Sequence, residues 1–101
     1  MAWRSNHRKS QRAPVTLSAT CRTATGRSGD VVIVDLTAEG CRIFTRALGL
    51  SVGLQVRIRP ANFEVIPGVV RWVAGGYAGI EFERPLYGPV AEHLQRGFSS
   101  R

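Results

Sequence analysis

The amino-acid sequence predicts an all-β protein: a small antiparallel six-stranded β-barrel with one short C-terminal α-helix. Short apolar runs recur along the chain at roughly even spacing and are separated by turns rich in Gly, Pro and Ser. A convincing helical pattern occurs once, near the C-terminus. The chain has 101 residues, which is enough for one domain with a modest core.

The N-terminal half predicts a flexible arm followed by three strands. Residues 1–12 are polar and without periodicity, so we expect an arm there and a barrel domain over residues 13–101. Alternation after Ala13-Pro14 predicts the first strand, and β-branched runs bounded by turn residues predict the next two. The residues are Val15, Leu17 and Ala19 (first strand), Thr23–Gly29 (turn), Asp30–Asp35 (second strand), Thr37–Gly40 (tight connection) and Cys41–Thr45 (third strand).

The C-terminal half predicts the remaining strands and the helix. Alternation in Gln55–Arg59 places Arg57 and Arg59 outward and Val56 and Ile58 inward. The two halves together contain seven runs that resemble strands, one more than the predicted barrel of six strands requires. The other segments are the linker Ala47–Gly53, the strands Phe63–Ile66, Gly68–Val73 and Tyr77–Phe82 with Pro67-Gly68 and Gly75-Gly76 as separators, and the helix Pro89–Arg96 with Gly97 as its stop.

The positive charge is concentrated near the N-terminus. The formal net charge is +7, and residues 1–29 contain six basic residues without any Asp or Glu. Thirteen of the 14 basic residues are arginines, whose planar donor fork pairs with phosphate or a guanine edge and stacks on aromatic rings. A small anionic ligand or a nucleic acid is therefore the leading class of partner.

Several classes of function have no support in the sequence. Cys21 and Cys41 are too far apart for a C-x-x-C motif and are expected to be two buried free thiols. His7 and His93 have no Cys or carboxylate at ligand spacing, so we expect no metal site. We also expect no enzyme, because no Ser/His/Asp or Cys/His set is present. No apolar run would span a bilayer or serve as a secretory signal, so a cytoplasmic protein without membrane contact is expected.

Two motifs suggest a specific ligand. Arg8 and Arg12 form an R-x-x-x-R in the arm, and Asp35–Gly40 forms a D-x-[ST]-x-x-G at the end of the second strand. Together with Arg71-Trp72 and Gly79–Phe82, their order and spacing resemble the PilZ domain family over residues 8–96. The sequence departs from the commonest family pattern at Thr37, where Ser is usual.

The resemblance implies that the chain binds cyclic di-GMP and needs no other cofactor. Arginine forks match the O6 and N7 acceptors of guanine and the two phosphates, and a carboxylate accepts from guanine N1–H and N2–H₂. Thr37 can donate its hydroxyl, and Gly40 allows close approach of the backbone. The implied ligand residues are Arg8, Arg12, Asp35, Thr37 and Gly40, with Lys9 and Trp72 as secondary candidates.

Each of these residues also has a purely structural interpretation. Arg8 and Arg12 can be solvated charges of the arm, and Trp72 can be a core aromatic. Asp35 and Thr37 can form an ordinary Asx or ST turn in which Gly40 supplies a positive φ. The expected function is a receptor that signals by contact with an unidentified protein partner; the alternatives are nonspecific nucleic-acid binding and a ligand-free adapter.

Overall fold

The computed structural model describes residues 13–99, which form a closed antiparallel barrel of six strands followed by one helix. The predicted fold class is confirmed. The order of strands around the barrel is β1-β2-β3-β6-β5-β4, and β4 pairs with β1 to close it. The elements are β1 (Ala13–Thr23), β2 (Ser28–Leu36), β3 (Gly40–Phe44), β4 (Gln55–Pro60), β5 (Ile66–Ala74), β6 (Tyr77–Phe82) and α1 (Gly88–Ser99).

The core lies inside the barrel because apolar residues alternate along each strand. The burial pattern of β4 follows the prediction, with Val56 and Ile58 buried and Arg57 and Arg59 exposed. Leu94 of α1 is buried, so the helix covers one end of the barrel. Side chains with less than 2 % exposure include Leu17, Ile33, Leu36, Ile43, Ile58, Val70 and Ile80.

Two predicted strand boundaries are wrong in the second half of the barrel. Phe63–Ile66 is not a separate strand, because residues 61–65 form the connection between β4 and β5 and Asn62 has a φ of 61°. Pro67-Gly68 does not separate two strands but lies within β5, where Pro67 pairs with Arg57. The proline is tolerated there because it lies near the beginning of its strand.

The ends of β1 and of the helix also differ from prediction. β1 continues to Thr23, since its C-terminal half pairs with both β2 and β4, and the predicted turn shortens to residues 24–27. The helix α1 begins at Gly88 and continues through Gly97 to Ser99. A glycine inside a helix costs only about 1 kcal/mol relative to alanine and need not end it.

Candidate ligand-binding site

The turn between β2 and β3 is held by the hydroxyl group of Thr37. Thr37 Oγ1 accepts hydrogen bonds from the amide nitrogens of Glu39 (3.0 Å) and Gly40 (3.1 Å), and the Thr37 amide donates to the Gly40 carbonyl at 2.9 Å. Only 3 % of Thr37 is exposed. The hydroxyl therefore orders an ST turn. The expected hydrogen bond from Thr37 to a ligand stays a prediction.

Gly40 is required by packing rather than by its backbone angle. Its φ is not among the positive values of the described glycines, so the interpretation that it supplies a positive φ is wrong. A Cβ at Gly40 would instead collide with the carbonyl oxygen of Ile80 on β6. The absence of a side chain lets the turn lie directly against the neighbouring strand.

Asp35 and Arg42 form a cross-strand ion pair at the same turn. The register shift between Ile33 and Asp35 places Asp35 opposite Arg42, and Arg42 Nη2 lies 3.0 Å from Asp35 Oδ2. Such a shift re-aims side chains next to functional sites. Asp35 is 4 % exposed, whereas 40 % of the Arg42 side chain is exposed. The Asp35 carboxylate is therefore enclosed by protein and held by Arg42, while part of the Arg42 side chain faces solvent.

The ion pair belongs to a row of residues that crosses four strands. Asp35 pairs with Arg42, Arg42 with Gly79, and Gly79 with Trp72. A Cβ at Gly79 would collide with Nε1 of the Trp72 indole, so the ring of Trp72 lies over the glycine. We call Asp35, Arg42, Gly79 and Trp72 the cross-strand row. It combines a carboxylate, a guanidinium group and an aromatic face.

Trp72 is not a core residue, so that structural interpretation is wrong. Its side chain is half-buried, and the hydrophobic core of the described residues does not contain it. Its position over Gly79 instead places the indole on the outer side of the barrel, across the row from Asp35. A role of Trp72 in ligand binding stays a prediction.

Aromatic residues and a second ion pair surround the row. The Arg42 guanidinium lies 5.5 Å from the centroid of the Tyr77 ring, which in turn lies 4.9 Å from that of Phe44. Cation–π contact of this kind holds a guanidinium over a ring. On the far side, Arg71 Nε lies 2.5 Å from Glu81 Oε1. The Tyr77 ring thereby restrains the guanidinium of the row, and the Arg71–Glu81 pair lies on the strands that carry Trp72 and Gly79.

Behind the row, the barrel interior is neutral. Cys41 is buried, and burial together with the nearby Asp35 carboxylate raises the pKa of its thiol well above its usual range. Burial also raises the pKa of Cys21 to about 11. Both cysteines are free and buried, as predicted, and both are protonated thiols at neutral pH.

The structure brings together only part of the predicted site. Asp35, Thr37 and Gly40 lie in one turn, and Trp72 lies in the same row as Asp35. The remaining predicted ligand residues, Arg8, Lys9 and Arg12, lie outside the described residues, as does the predicted arm. Because Pro14 pairs with Asp35, the chain that follows the arm joins the barrel beside this carboxylate.

Arg42 and Gly79 were not predicted as site residues. The hairpin spacing contained a signal for Arg42, since Leu36 and Cys41 pair across the turn and the next pair outward is Asp35 with Arg42. Gly79 contributes through its lack of a side chain, which no local sequence pattern reveals.

The arrangement suits a flat polar ring that has donors on one edge. A carboxylate accepts two hydrogen bonds, a guanidinium donates to carbonyl or phosphate oxygens, and an indole offers a stacking surface. Within residues 13–99, no cluster of three metal-ligating side chains is found. That part of the chain also has no helix long and apolar enough to cross a membrane.

Comparison with known proteins identifies the family. The PilZ domain family matches residues 6–99 of this chain. Among solved structures, the PilZ domain of CeSA from a cellulose-synthesizing bacterium superposes with a TM-score of 0.64 at 21% identity, covering 86% of this chain and 96% of that chain. The Bacillus subtilis inhibitor of motility (MotI/DgrA) has a TM-score of 0.63 at 14% identity, covering 88% of this chain and 48% of that chain.

At these identities the two structures establish a shared fold. No curated protein sequence matches the chain. The match to the family covers the barrel, the helix and the two motifs at Arg8–Arg12 and Asp35–Gly40. The chain belongs to the PilZ domain family.

Proposed function

We propose that this protein is a receptor for cyclic di-GMP that acts as an adapter rather than an enzyme. PilZ domains are a cyclic di-GMP-binding family. The observation that most strongly supports the proposal is the cross-strand row, in which the Asp35 carboxylate, the Arg42 guanidinium and the Trp72 ring share one register across four strands. These three groups match the chemistry of a guanine base attached to a phosphate.

Asp35 is the proposed reader of guanine. Its carboxylate accepts from N1–H and N2–H₂ of guanine, an arrangement of donors that adenine lacks. Arg42 fixes the carboxylate through the 3.0 Å contact and keeps 40 % of its own side chain exposed for a phosphate or a guanine O6. The orientation of the Asp35 carboxylate is thus set before the ligand arrives.

The arm is proposed to supply the remaining contacts. Arg12 immediately precedes Ala13, and the first residues of β1 pair with Leu36 and Asp35. Arg12 therefore directly precedes, in the sequence, the part of β1 that pairs beside the carboxylate, and Arg8 lies four residues earlier in the chain. Two arginines at this spacing can bind a base edge and a phosphate of one ligand. Lys9 adds a peripheral charge.

Trp72, Thr37 and Gly40 have supporting roles in this proposal. The Trp72 indole offers a face on which a purine stacks, a contact worth about 1–3 kcal/mol for bases on aromatic side chains. Thr37 and Gly40 shape the turn that aims Asp35, because one supplies the hydroxyl and the other the close approach to β6. The threonine keeps the hydroxyl that a serine would provide.

Isothermal titration with cyclic di-GMP and cyclic di-AMP tests the assignment. We expect binding of cyclic di-GMP to be at least tenfold tighter, because only guanine offers acceptors to arginine and donors to Asp35 together. GTP and a short RNA serve as controls for nonspecific binding of anions. Equal affinity for the two cyclic dinucleotides would reject the proposal.

A further inference from the structure

An arginine-rich face lies at the end of β1 that is remote from Asp35. Arg22 on β1 pairs directly with Arg57 on β4, and Arg59 follows two residues later on the same outward side. All three side chains are exposed. We call Arg22, Arg57 and Arg59 the arginine face.

The charges of this face are not neutralised within the described chain. The ion pairs formed between residues 13 and 99 join Arg42 to Asp35 and Arg71 to Glu81, and neither involves the arginine face. Like charges directly opposite each other on neighbouring strands are destabilising. A face that keeps such a pair in register is suited to an anion supplied from outside.

A groove adjoins the arginine face. It has a volume of about 1070 Å³, and its floor includes Thr20, which lies in register between Arg59 on β4 and Asp30 on β2. Phe44 and Phe63 contribute apolar surface to its walls. The surface as a whole therefore combines cations, two nearby carboxylates and an apolar hollow.

This combination indicates which anion fits. A phosphate polymer or an anionic bilayer is favoured by uniformly positive surface, and Asp30 and Glu64 beside the groove oppose both. A protein segment benefits from the mixture, since its carboxylates pair with arginine forks and an apolar side chain fills the hollow. Neighbouring outward positions on β4 are about 6.6 Å apart, a spacing that successive acidic residues in a segment can match.

We propose that the arginine face and its groove form the docking surface for an acidic segment of a partner protein. The inference rests on the proposed function in one respect: it names the surface through which a cyclic di-GMP receptor contacts its partner. Arg22 lies eight residues along β1 from Pro14, so the arginine face is separate from the cross-strand row, and the groove approaches the row only through the contact of Phe44 with Tyr77.

The test uses a fluorescein-labelled peptide of alternating Glu and Asp that ends in Leu-Phe, titrated with the full chain at physiological ionic strength. We expect R22T/R57T to weaken its binding about fivefold, the scale of two exposed charge pairs. The matched control R84S/R96S removes two exposed arginines that belong neither to the arginine face nor to the lining of the groove, and it should change binding less than twofold. Equal losses in both variants would mean that only net charge matters and would overturn the inference.

A second pair of variants tests where the peptide docks without removing an arginine. Thr20→Glu and Thr20→Gln differ only in charge, and the site lies between Arg59 and Asp30. We expect the Glu variant to bind the peptide about threefold more weakly than the Gln variant. Identical binding by the two variants would contradict docking at this face.

Titrations with DNA, with anionic vesicles and with cyclic di-GMP distinguish the docking inference from other partners and from the receptor proposal. Tighter binding of a short DNA duplex, or of vesicles containing phosphatidylserine, than of the peptide would overturn the choice of a protein segment. Cyclic di-GMP titrated into R22T/R57T should bind as it does to the wild type. If the wild type binds cyclic di-GMP but not the peptide, the docking inference alone fails; if it binds the peptide but not cyclic di-GMP, the receptor proposal alone fails.

Discussion

The charged side chains at the two ends of β1 differ in burial and in pairing. At the beginning of the strand, Pro14 lies beside Asp35, whose carboxylate is buried and paired with Arg42 at 3.0 Å. Toward its end, Arg22 faces Arg57 with both side chains exposed. A strand rises about 3.3 Å per residue, so Pro14 and Arg22 are about 26 Å apart.

The difference shows what each kind of charge can achieve. A buried, paired carboxylate has one orientation and can distinguish bases by the direction of their hydrogen bonds. Exposed arginines have many rotamers and are screened by salt, so they attract a class of partner rather than one molecule. We therefore expect substitutions at the Asp35 end to alter the fold and ligand selectivity, and substitutions at the arginine face to leave both unchanged.

The largest expected effect is on stability, from two glycines. Gly40→Ala should lower the free energy of unfolding by about 3 kcal/mol, because the new Cβ collides with the backbone at Ile80, which cannot move as a side chain would. Gly49→Ala, near Arg27, should change it by less than about 0.5 kcal/mol, since the neighbouring atom is the end of a flexible side chain at 3.5 Å. Urea unfolding measures the free energy of unfolding of both variants. Similar losses would contradict the expected difference between the tightly packed Gly40 and the open position of Gly49.

The next effect is on ligand affinity, and it compares Arg12, which precedes β1 in the sequence, with Arg22 near the end of β1. Arg12→Ala should weaken cyclic di-GMP binding by about 1.5–3 kcal/mol, the scale of a charge-assisted hydrogen bond, or roughly ten- to hundredfold. Arg22→Ala removes the same charge at the remote end and should change binding less than twofold. Calorimetric titration decides between them, and equal weakening would indicate long-range attraction instead of contact.

The smallest effect compares two acids on β2. Asp35→Ala should destabilise the fold by about 1–2 kcal/mol, because the ion pair with Arg42 is lost but the guanidinium is 40 % exposed and regains water. Asp30→Ala, at an exposed position with no ion pair to another described residue, should stay within about 0.5 kcal/mol. Thermal unfolding of the two variants at one pH provides the measurement, and a larger effect at Asp30 would invert the comparison.

Local patterns in the sequence were sufficient for most of the fold. The β4 segment alternates cleanly, so its inward and outward residues followed from the period alone. Phe63–Ile66 was misassigned because its apolar residues resemble a short strand, yet Phe63 contacts the core from the connection that contains Asn62, Val65 is exposed, and Ile66 already belongs to β5. Propensity cannot separate a short strand from such a connection, since both can contain the same run of apolar residues.

The candidate site was predictable where it is local and not where it depends on register. The turn motif placed Asp35, Thr37 and Gly40 together because they are neighbours in the chain. The position of Trp72 over Gly79 depends on pairing between β5 and β6, including the irregularity between Val70 and Trp72. That register is fixed by the packing of the closed barrel, which no single segment encodes.

Closure of the barrel also determines how another molecule can recognise this protein. Each strand within residues 13–99 has two hydrogen-bonded neighbours, so no strand of this sheet is free along its whole edge for pairing with a second chain. A partner must therefore recognise this domain mainly by its outward side chains. These occupy the alternate strand positions that are not needed for the core.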